Sequence, residues 1–145
     1  MLPPTYTDIK DYQKCLDKVY HKEEIRHFPK MIPAGAKEVR MYCDPDEFMI
    51  DEGAIVLGYK INKSYIEEEF KKHKYLNQDV SVGTSQEIRY IPSEKIGVNS
   101  HNLTYYVVKT PNNEWSFKKG FFPYFSGIGV SKNMDYILYY AINPD

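Results

Sequence analysis

A two-residue period in the side chains recurs in seven segments of this 145-residue chain, and this period indicates β-strands rather than helices. Within residues 37–43 it places Val39, Met41 and Cys43 on one face of a strand. β-Branched and aromatic residues, which strands favour, fill the other segments with this pattern. The predicted strands are residues 37–43, 54–61, 86–91, 103–109, 114–118, 121–131 and 134–142.

Two other segments have the three- to four-residue spacing of amphipathic helices. The first helix is predicted over residues 7–20, with Thr7 as its N-cap. The second begins at Asn62 or Ser64 and ends near residue 75, because Ser64 and Glu67 form a capping-box pattern. The chain therefore contains a helix, two strands, a second helix and then four or five strands.

This order of elements predicts an α+β fold, in which an antiparallel, twisted sheet of about five to seven strands has two helices packed on one face. A composition of 42% hydrophobic and 27% charged residues is typical of a globular domain. Two prolines near the start favour an N-terminal tether over residues 1–6, followed by one domain over residues 7–145. In the last hairpin, Asn133 is predicted to take the left-handed backbone of a tight turn at residues 132–133.

The distribution of charge argues against two classes of partner. The formal net charge is -1, and no more than three like charges follow one another, so the sequence lacks the basic surface typical of nucleic-acid binding. The longest apolar runs, residues 54–59 and 136–142, are far shorter than the roughly 20 residues that cross a bilayer. We therefore predict no nucleic-acid partner and no transmembrane segment.

The motifs of common catalytic and metal sites are also missing. The acidic segment 44–52 does not fit an EF-hand, because Met49 and Ile55 stand where a glycine and a glutamate are required. No two of the four histidines lie three or four residues apart, so we predict partly exposed surface residues rather than metal ligands. Ser126 lacks the preceding glycine of a nucleophile elbow. No catalytic residue, metal ligand or cofactor is therefore predicted.

The two cysteines leave two states open. Cys15 and Cys43 are compatible with one disulfide in an exported protein or with two buried thiols in a reducing compartment. Both residues fall on predicted apolar faces, where a thiol serves as a small core residue. Unpaired thiols are the favoured state, because a disulfide needs Cα atoms within about 7 Å and the sequence does not establish that distance.

Tyrosine is unusually abundant, with 14 of 145 residues, and many of these rings lie in the C-terminal strands. Alternation is expected to place some of them outside the packed interior, on the face away from the helices, where tyrosine suits recognition of a protein or glycan. The alternative is that the rings stabilise cross-strand pairs and cover Gly127 and Gly129, with Tyr139 or another ring over the glycines. The candidate binding residues are Tyr105, Tyr106, Trp115, Tyr124, Tyr136, Tyr139 and Tyr140.

Residues 25–33, IRHFPKMIP, are followed by alternating strands, by GIGVSK at residues 127–132 and by Tyr139-Tyr140. This pattern resembles uncharacterised exported or lipid-anchored proteins of Gram-positive bacteria. The resemblance spans most of the chain but contains no diagnostic motif. It implies an extracytoplasmic location with a leader upstream of Met1, and it implies no known activity.

These observations favour a non-enzymatic, extracytoplasmic binding or interaction domain that uses an aromatic-rich face of the sheet. The partner would be a protein or a glycan, and the sequence leaves the oligomeric state open. One alternative is a small hydrolase-type enzyme, secreted or cytoplasmic, whose site is assembled only in three dimensions. Another is a structural subunit of a larger assembly.

Overall fold

A computed structural model describes residues 5–19, 25–44, 54–72, 75–76, 92–98, 102–108 and 125–142. The helices are α1 (Tyr12–Lys18) and α2 (Lys63–Lys72), with short 3₁₀ helices at Ile9–Asp11 and Pro92–Ile96. The strands are β1 (Lys37–Cys43), β2 (Ala54–Lys60), β3 (Tyr75–Leu76), β4 (Leu103–Val108), β5 (Phe125–Ser131) and β6 (Tyr136–Ile142). The predicted strands over residues 86–91 and 114–118 lie outside the described residues.

The six strands form one antiparallel sheet in the order β1-β2-β6-β5-β4-β3. β1 pairs with β2, the next strand in the sequence, whereas β6 lies between β2 and β5. The last described strand is therefore a central strand of the sheet, with a neighbouring strand on each side. The predicted α+β class, with an antiparallel sheet and two helices, is confirmed.

Two hydrophobic cores lie on opposite faces of this sheet. The first, on what we call the helix face, combines Ile55, Leu57 and Tyr59 of β2 with Tyr12 and Cys15 of α1, Ile66 of α2 and Phe28 of the connector before β1. On the other side, which we call the far face, the smaller core lies next to the 3₁₀ helix Pro92–Ile96. It contains Ala54, Val56, Ile96, Leu103, Leu138 and Tyr140, with Tyr42, Val98 and Tyr136 partly buried against it.

The first helix starts one residue later than the sequence pattern suggests, and the second starts at the earlier of its two predicted caps. Asp8 rather than Thr7 caps the first turn, since its side chain accepts a hydrogen bond from the backbone N–H of Lys10 at 3.0 Å. At α2, Oδ1 of Asn62 accepts from the Tyr65 N–H at 2.9 Å and from the Ser64 hydroxyl at 2.8 Å. Asn62 therefore caps α2, because asparagine reaches the exposed donors of the first turn as well as serine does.

The hairpin between β5 and β6 is longer than the predicted two-residue turn. Met134, not Asn133, has the left-handed backbone, with φ of 55°. The Ser131 hydroxyl accepts from the backbone N–H of Asp135 and of Tyr136, each at 3.0 Å, and donates to Oδ1 of Asp135 at 2.7 Å. Because this side chain satisfies the N–H groups of the loop, the turn closes over four residues instead of two.

A disulfide joins Cys15 of α1 to Cys43 of β1, with their Cα atoms 6.4 Å apart. The expectation of two unpaired thiols is therefore wrong. Both cysteines are buried on the helix face, where α1 packs across β1. The distance between them depends on this tertiary packing, which the spacing of residues along the chain does not encode.

The domain begins earlier than residue 7. Tyr6, which the sequence assigns to the tether, exchanges two backbone hydrogen bonds with Cys43, each 2.8 Å long. Its side chain is buried in the helix-face core. Within the described ranges, no helix is both long enough and apolar enough to cross a bilayer.

Candidate functional site

Two of the three predicted binding tyrosines of β6, Tyr139 and Tyr140, lie inside the packed interior. Tyr139 and Tyr140 are each 0% exposed, so the expectation is wrong for both. Tyr139 points into the helix-face core and Tyr140 into the far-face core, because β6 is central and both of its faces are covered. Tyr106 and Tyr136 are half-buried. Trp115, Tyr124 and the side chain of Tyr105 lie outside the described residues.

Three phenols meet inside the helix-face core, and we call Tyr59, Tyr65 and Tyr139 the tyrosine cluster. The hydroxyl oxygens of Tyr59 and Tyr65 are 2.8 Å apart, and each lies 3.4 Å from that of Tyr139. The Phe28 ring packs at 5.8 Å from the ring of Tyr139, centroid to centroid. The cluster thus satisfies its own polar groups within an apolar surrounding.

Burial keeps two of these phenols, Tyr59 and Tyr139, protonated. It raises the pKa of Tyr59 and of Tyr139 far above the ordinary value of 10.0, and the carboxylate of Glu69 raises both further. Glu69 is itself buried and pairs with Lys72 at 3.5 Å. Burial also raises the pKa of Tyr12, with a smaller contribution from Tyr65. Phenols held in this state act as neutral hydrogen-bonding groups of the core, not as bases or nucleophiles.

The sequence pattern predicts that His27 is a partly exposed surface residue, but the structure buries it. Its Nε2 lies 3.0 Å from the carbonyl oxygen of Gly127 and 3.1 Å from that of Tyr140. Because carbonyl oxygens only accept, Nε2 carries a proton and donates to both. The histidine therefore links the connector before β1 to a pair of residues facing each other on β5 and β6. Its burial could have been predicted from its apolar sequence neighbours Ile25 and Phe28, which are also buried.

On the far face, tyrosines lie over glycines. A β-carbon at Gly127 would come within 2.8 Å of the Tyr140 hydroxyl oxygen, and one at Gly58 would contact the Tyr136 hydroxyl. The ring that covers Gly127 is thus Tyr140, and Tyr139 projects to the opposite side. Glycine is required at Gly127 because the backbone carbonyl of Tyr106 also approaches too closely for any side chain, whereas at Gly58 the side chains of Tyr136 and Ile96 fill the space.

Beside Tyr136, the far face opens into a cavity of about 690 Å³. It lies where the start of β4 meets the β5–β6 hairpin, because Leu103 pairs with Ser131 across the sheet. A volume of this size falls within the range of small-molecule binding sites. The cavity is lined by Val98, Asn102, Leu103, Thr104, Ser131, Lys132, Asn133, Asp135 and Tyr136.

One wall of the cavity is apolar. Val98, Leu103 and Tyr136 form this wall, and all three belong to the far-face core. Leu103 is buried, whereas Val98 and Tyr136 are half-buried and keep part of their surface accessible. The packing beneath these side chains holds the wall in place before any ligand arrives.

The other exposed side chains of the lining are polar, and we call them the polar wall. Thr104 does not belong to it, because its pairing with Val130 of the helix-face core puts its side chain on the other face of the sheet. Asn102, Lys132 and Asn133 form the polar wall, and none of their side chains makes a hydrogen bond or ion pair with another described residue. These groups can therefore hydrogen-bond a ligand without breaking a contact within the described part of the chain. Lys132 and Asp135 supply one positive and one negative charge, so the lining has no net charge.

One hydroxyl of this lining is committed to the structure of the hairpin. The Ser131 hydroxyl already accepts two backbone N–H groups and donates to Asp135, so it serves the hairpin rather than acting as a nucleophile. Among the described residues, no three histidine, cysteine or acidic side chains gather as a metal site would require. Of the described tyrosines that the sequence nominated, Tyr136 lines the cavity. In the sequence, the polar residues near Tyr136, from Ser131 to Asp135, could have indicated the hairpin part of the lining.

Comparison of the chain with protein-family models, curated proteins and solved structures finds no match in any of the three.

Proposed function

We propose that this chain is a non-enzymatic binding domain that acts outside the cytoplasm and holds a glycan in the far-face cavity. The observation that carries the proposal is that one cavity lining combines an accessible apolar wall, including Tyr136, with exposed amide and amine groups that make no hydrogen bond to another described residue. Sugars present the same combination, since the C–H groups of a ring form an apolar face bordered by hydroxyls. An aromatic ring beside hydrogen-bonding side chains complements both parts of a sugar.

This proposal moves the site from the β6 tyrosines to the hairpin end of the sheet. Tyr139 and Tyr140 support the site from inside the two cores, while Tyr136 contributes directly to the lining. The partner class of the original hypothesis is retained, with a glycan favoured over a protein. A concave cavity with a largely polar lining suits a small polar ligand, whereas a protein partner usually binds to a flatter surface.

The disulfide supports the extracytoplasmic location. Cys15 and Cys43 are joined in the core, and protein disulfides persist in oxidising compartments but are rare in the reducing cytosol. The resemblance of residues 25–33 and 127–132 to exported or lipid-anchored proteins of Gram-positive bacteria supports the same location. Cells are quenched in acid and their free thiols alkylated under denaturing conditions, which expose both buried cysteines; a disulfide should leave both unlabelled. Labelling of both would place the protein in a reducing compartment.

The binding proposal is tested by blocking the cavity. Asn133 is exposed on the lining and lies in the hairpin loop outside both cores, so Asn133→Trp should fill the cavity without disturbing the core. The control for an added tryptophan is Thr7→Trp, at an exposed position on the N-terminal segment. Binding is measured by calorimetry with three hexasaccharides: cellohexaose, chitohexaose and a hexamer of galacturonic acid.

The proposal predicts that at least one of these saccharides binds to the wild type and to Thr7→Trp. Asn133→Trp should bind it at least ten times more weakly, because the indole occupies the space of a sugar ring. Thermal unfolding of both variants establishes that they remain folded. If none of the three saccharides binds, or if Asn133→Trp binds as well as Thr7→Trp, the proposed function is wrong.

A further inference from the structure

We infer that the ligand carries an acetamido group, so that the cavity selects N-acetylated amino sugars over sugars with hydroxyl groups alone. This inference rests on the proposed function and specifies its ligand class. It follows from the chemistry of the two walls, taken one at a time.

The apolar wall is larger than a single sugar face requires. In addition to the Tyr136 ring, it includes the aliphatic side chains of Val98 and Leu103, which pack against the same core. An aromatic ring alone suffices to cover the C–H face of a sugar. Two aliphatic side chains next to it favour a methyl group, which a hydroxyl sugar lacks and an acetamido group supplies.

The polar wall complements the rest of that group. An acetamido group has one N–H donor and one carbonyl acceptor. The side chains of Asn102 and Asn133 each offer a carbonyl acceptor and an NH₂ donor, and neither is used within the described part of the chain. A carboxamide can therefore pair with either half of the acetamido group, whereas a lysine or a carboxylate pairs with only one half.

The charges of the lining disfavour an acidic sugar. Lys132 provides a positive charge, but the carboxylate of Asp135 lies on the same four-residue loop and lines the same cavity. A uronic acid placed there would be attracted by one group and repelled by the other. A neutral ligand avoids this conflict, and an N-acetylated amino sugar is neutral.

The experiment compares chitohexaose with cellohexaose, two hexasaccharides with the same linkage that differ in an acetamido group or a hydroxyl group on each ring. We expect the wild type to bind chitohexaose at least ten times more tightly than cellohexaose, and more tightly than the galacturonic acid hexamer. Val98→Thr places a hydroxyl where a methyl was, with little change in volume, and should reduce this preference roughly fivefold. Val39→Thr, half-buried on β1 and away from the cavity lining, is the matched control and should retain the preference.

The outcomes separate the two proposals. Equal affinity for cellohexaose and chitohexaose, or tighter binding of the galacturonic acid hexamer, would overturn the acetamido inference while leaving a glycan-binding cavity in place. An unchanged preference in Val98→Thr would overturn the role of the apolar wall and, with it, the inference. Failure of all three saccharides to bind would overturn the proposed function as well.

Discussion

The two faces of the sheet use tyrosine in different ways. On the helix face, Tyr59, Tyr65 and Tyr139 bring their hydroxyls together under two helices, and the group is closed to solvent at its centre. On the far face, Tyr136 and Tyr140 lie singly over glycines, and Tyr136 keeps part of its surface on an open cavity. The same residue type therefore builds a core on one side and part of a cavity wall on the other.

This difference follows from what covers each face. The helix face is covered by α1, α2 and the connector that carries His27 and Phe28. In the described part of the chain, the far face is covered by the 3₁₀ helix Pro92–Ile96, which is shorter than either helix. A short cover leaves one end of the sheet accessible, and the polar hairpin borders that end. Stability should therefore depend mostly on the helix face, and binding on the far face.

The largest predicted effect is a loss of stability at alkaline pH. The pKa of Tyr12, Tyr59 and Tyr139 is raised in the folded state, so the unfolded state loses protons first, above its ordinary value of 10.0. These groups should leave the free energy of unfolding unchanged below about pH 10. Above that pH it should fall by about 1.4 kcal/mol per pH unit for each tyrosine, or about 4 kcal/mol per pH unit for the three together.

Urea unfolding at a series of alkaline pH values measures this slope. Tyr59→Phe removes one of the three groups and should reduce the slope by about a third. A flat profile above pH 10, or tyrosinate absorbance from all 14 tyrosines before the fold is lost, would contradict the closed state of the helix face.

Truncation of one tyrosine on each face compares them directly. Tyr139→Ala should lower the free energy of unfolding by about 4 kcal/mol, because it leaves a large cavity under the helices and removes a partner of two hydroxyls. Tyr136→Ala should cost about 1–2 kcal/mol, since its ring is only half-buried, yet it should weaken saccharide binding. Denaturant unfolding gives both values. Equal losses of stability would remove the distinction between the faces.

The disulfide should support the helix face alone. Replacing Cys15 and Cys43 together by alanine removes a crosslink between residues 28 positions apart and should cost about 3 kcal/mol of stability. Saccharide affinity should remain within twofold of the wild type at a temperature where the variant is folded. A loss of affinity in the folded variant would show that the cavity depends on the helix side.

The smallest predicted effect lies in β1, away from both tyrosine groups. Glu38 has a left-handed backbone, with φ of 52°, where the pairing of β1 with β2 shifts register. Glycine adopts this conformation without strain, so Glu38→Gly should be about 1 kcal/mol more stable than Glu38→Ala in denaturant unfolding. Both variants lose the exposed ion pair with Lys60, which cancels in the comparison. A more stable alanine variant would contradict the strained backbone.

Much of the sheet could be predicted from the sequence because period-two patterning is a local signal. β1 agrees with its predicted residues, and β2 and β4 each end one residue earlier than predicted. The local signals at element ends were less decisive. Asn62 and Ser64 both suit an N-cap, and the Ser131 hydroxyl extended a turn that Asn133 would otherwise have closed.

The site could be predicted only in part, because alternation assigns a side chain to a face but does not say what covers that face. Tyr139 and Tyr140 alternate as expected, yet both are buried because β6 lies in the middle of the sheet. Strand order depends on tertiary packing, as does the distance between Cys15 and Cys43. Tyr136 was predicted from its residue type, whereas the cavity beside it required the pairing of β4 with β5.

The most direct test of the account is a map of backbone amide shifts by nuclear magnetic resonance while chitohexaose is added. The account predicts shift changes over residues 102–104 and 131–136, with the amides of Tyr59, Tyr65 and Tyr139 unchanged. Changes concentrated around α1, α2 and the tyrosine cluster, or no changes at saturating saccharide, would contradict the division between a closed helix face and a binding far face.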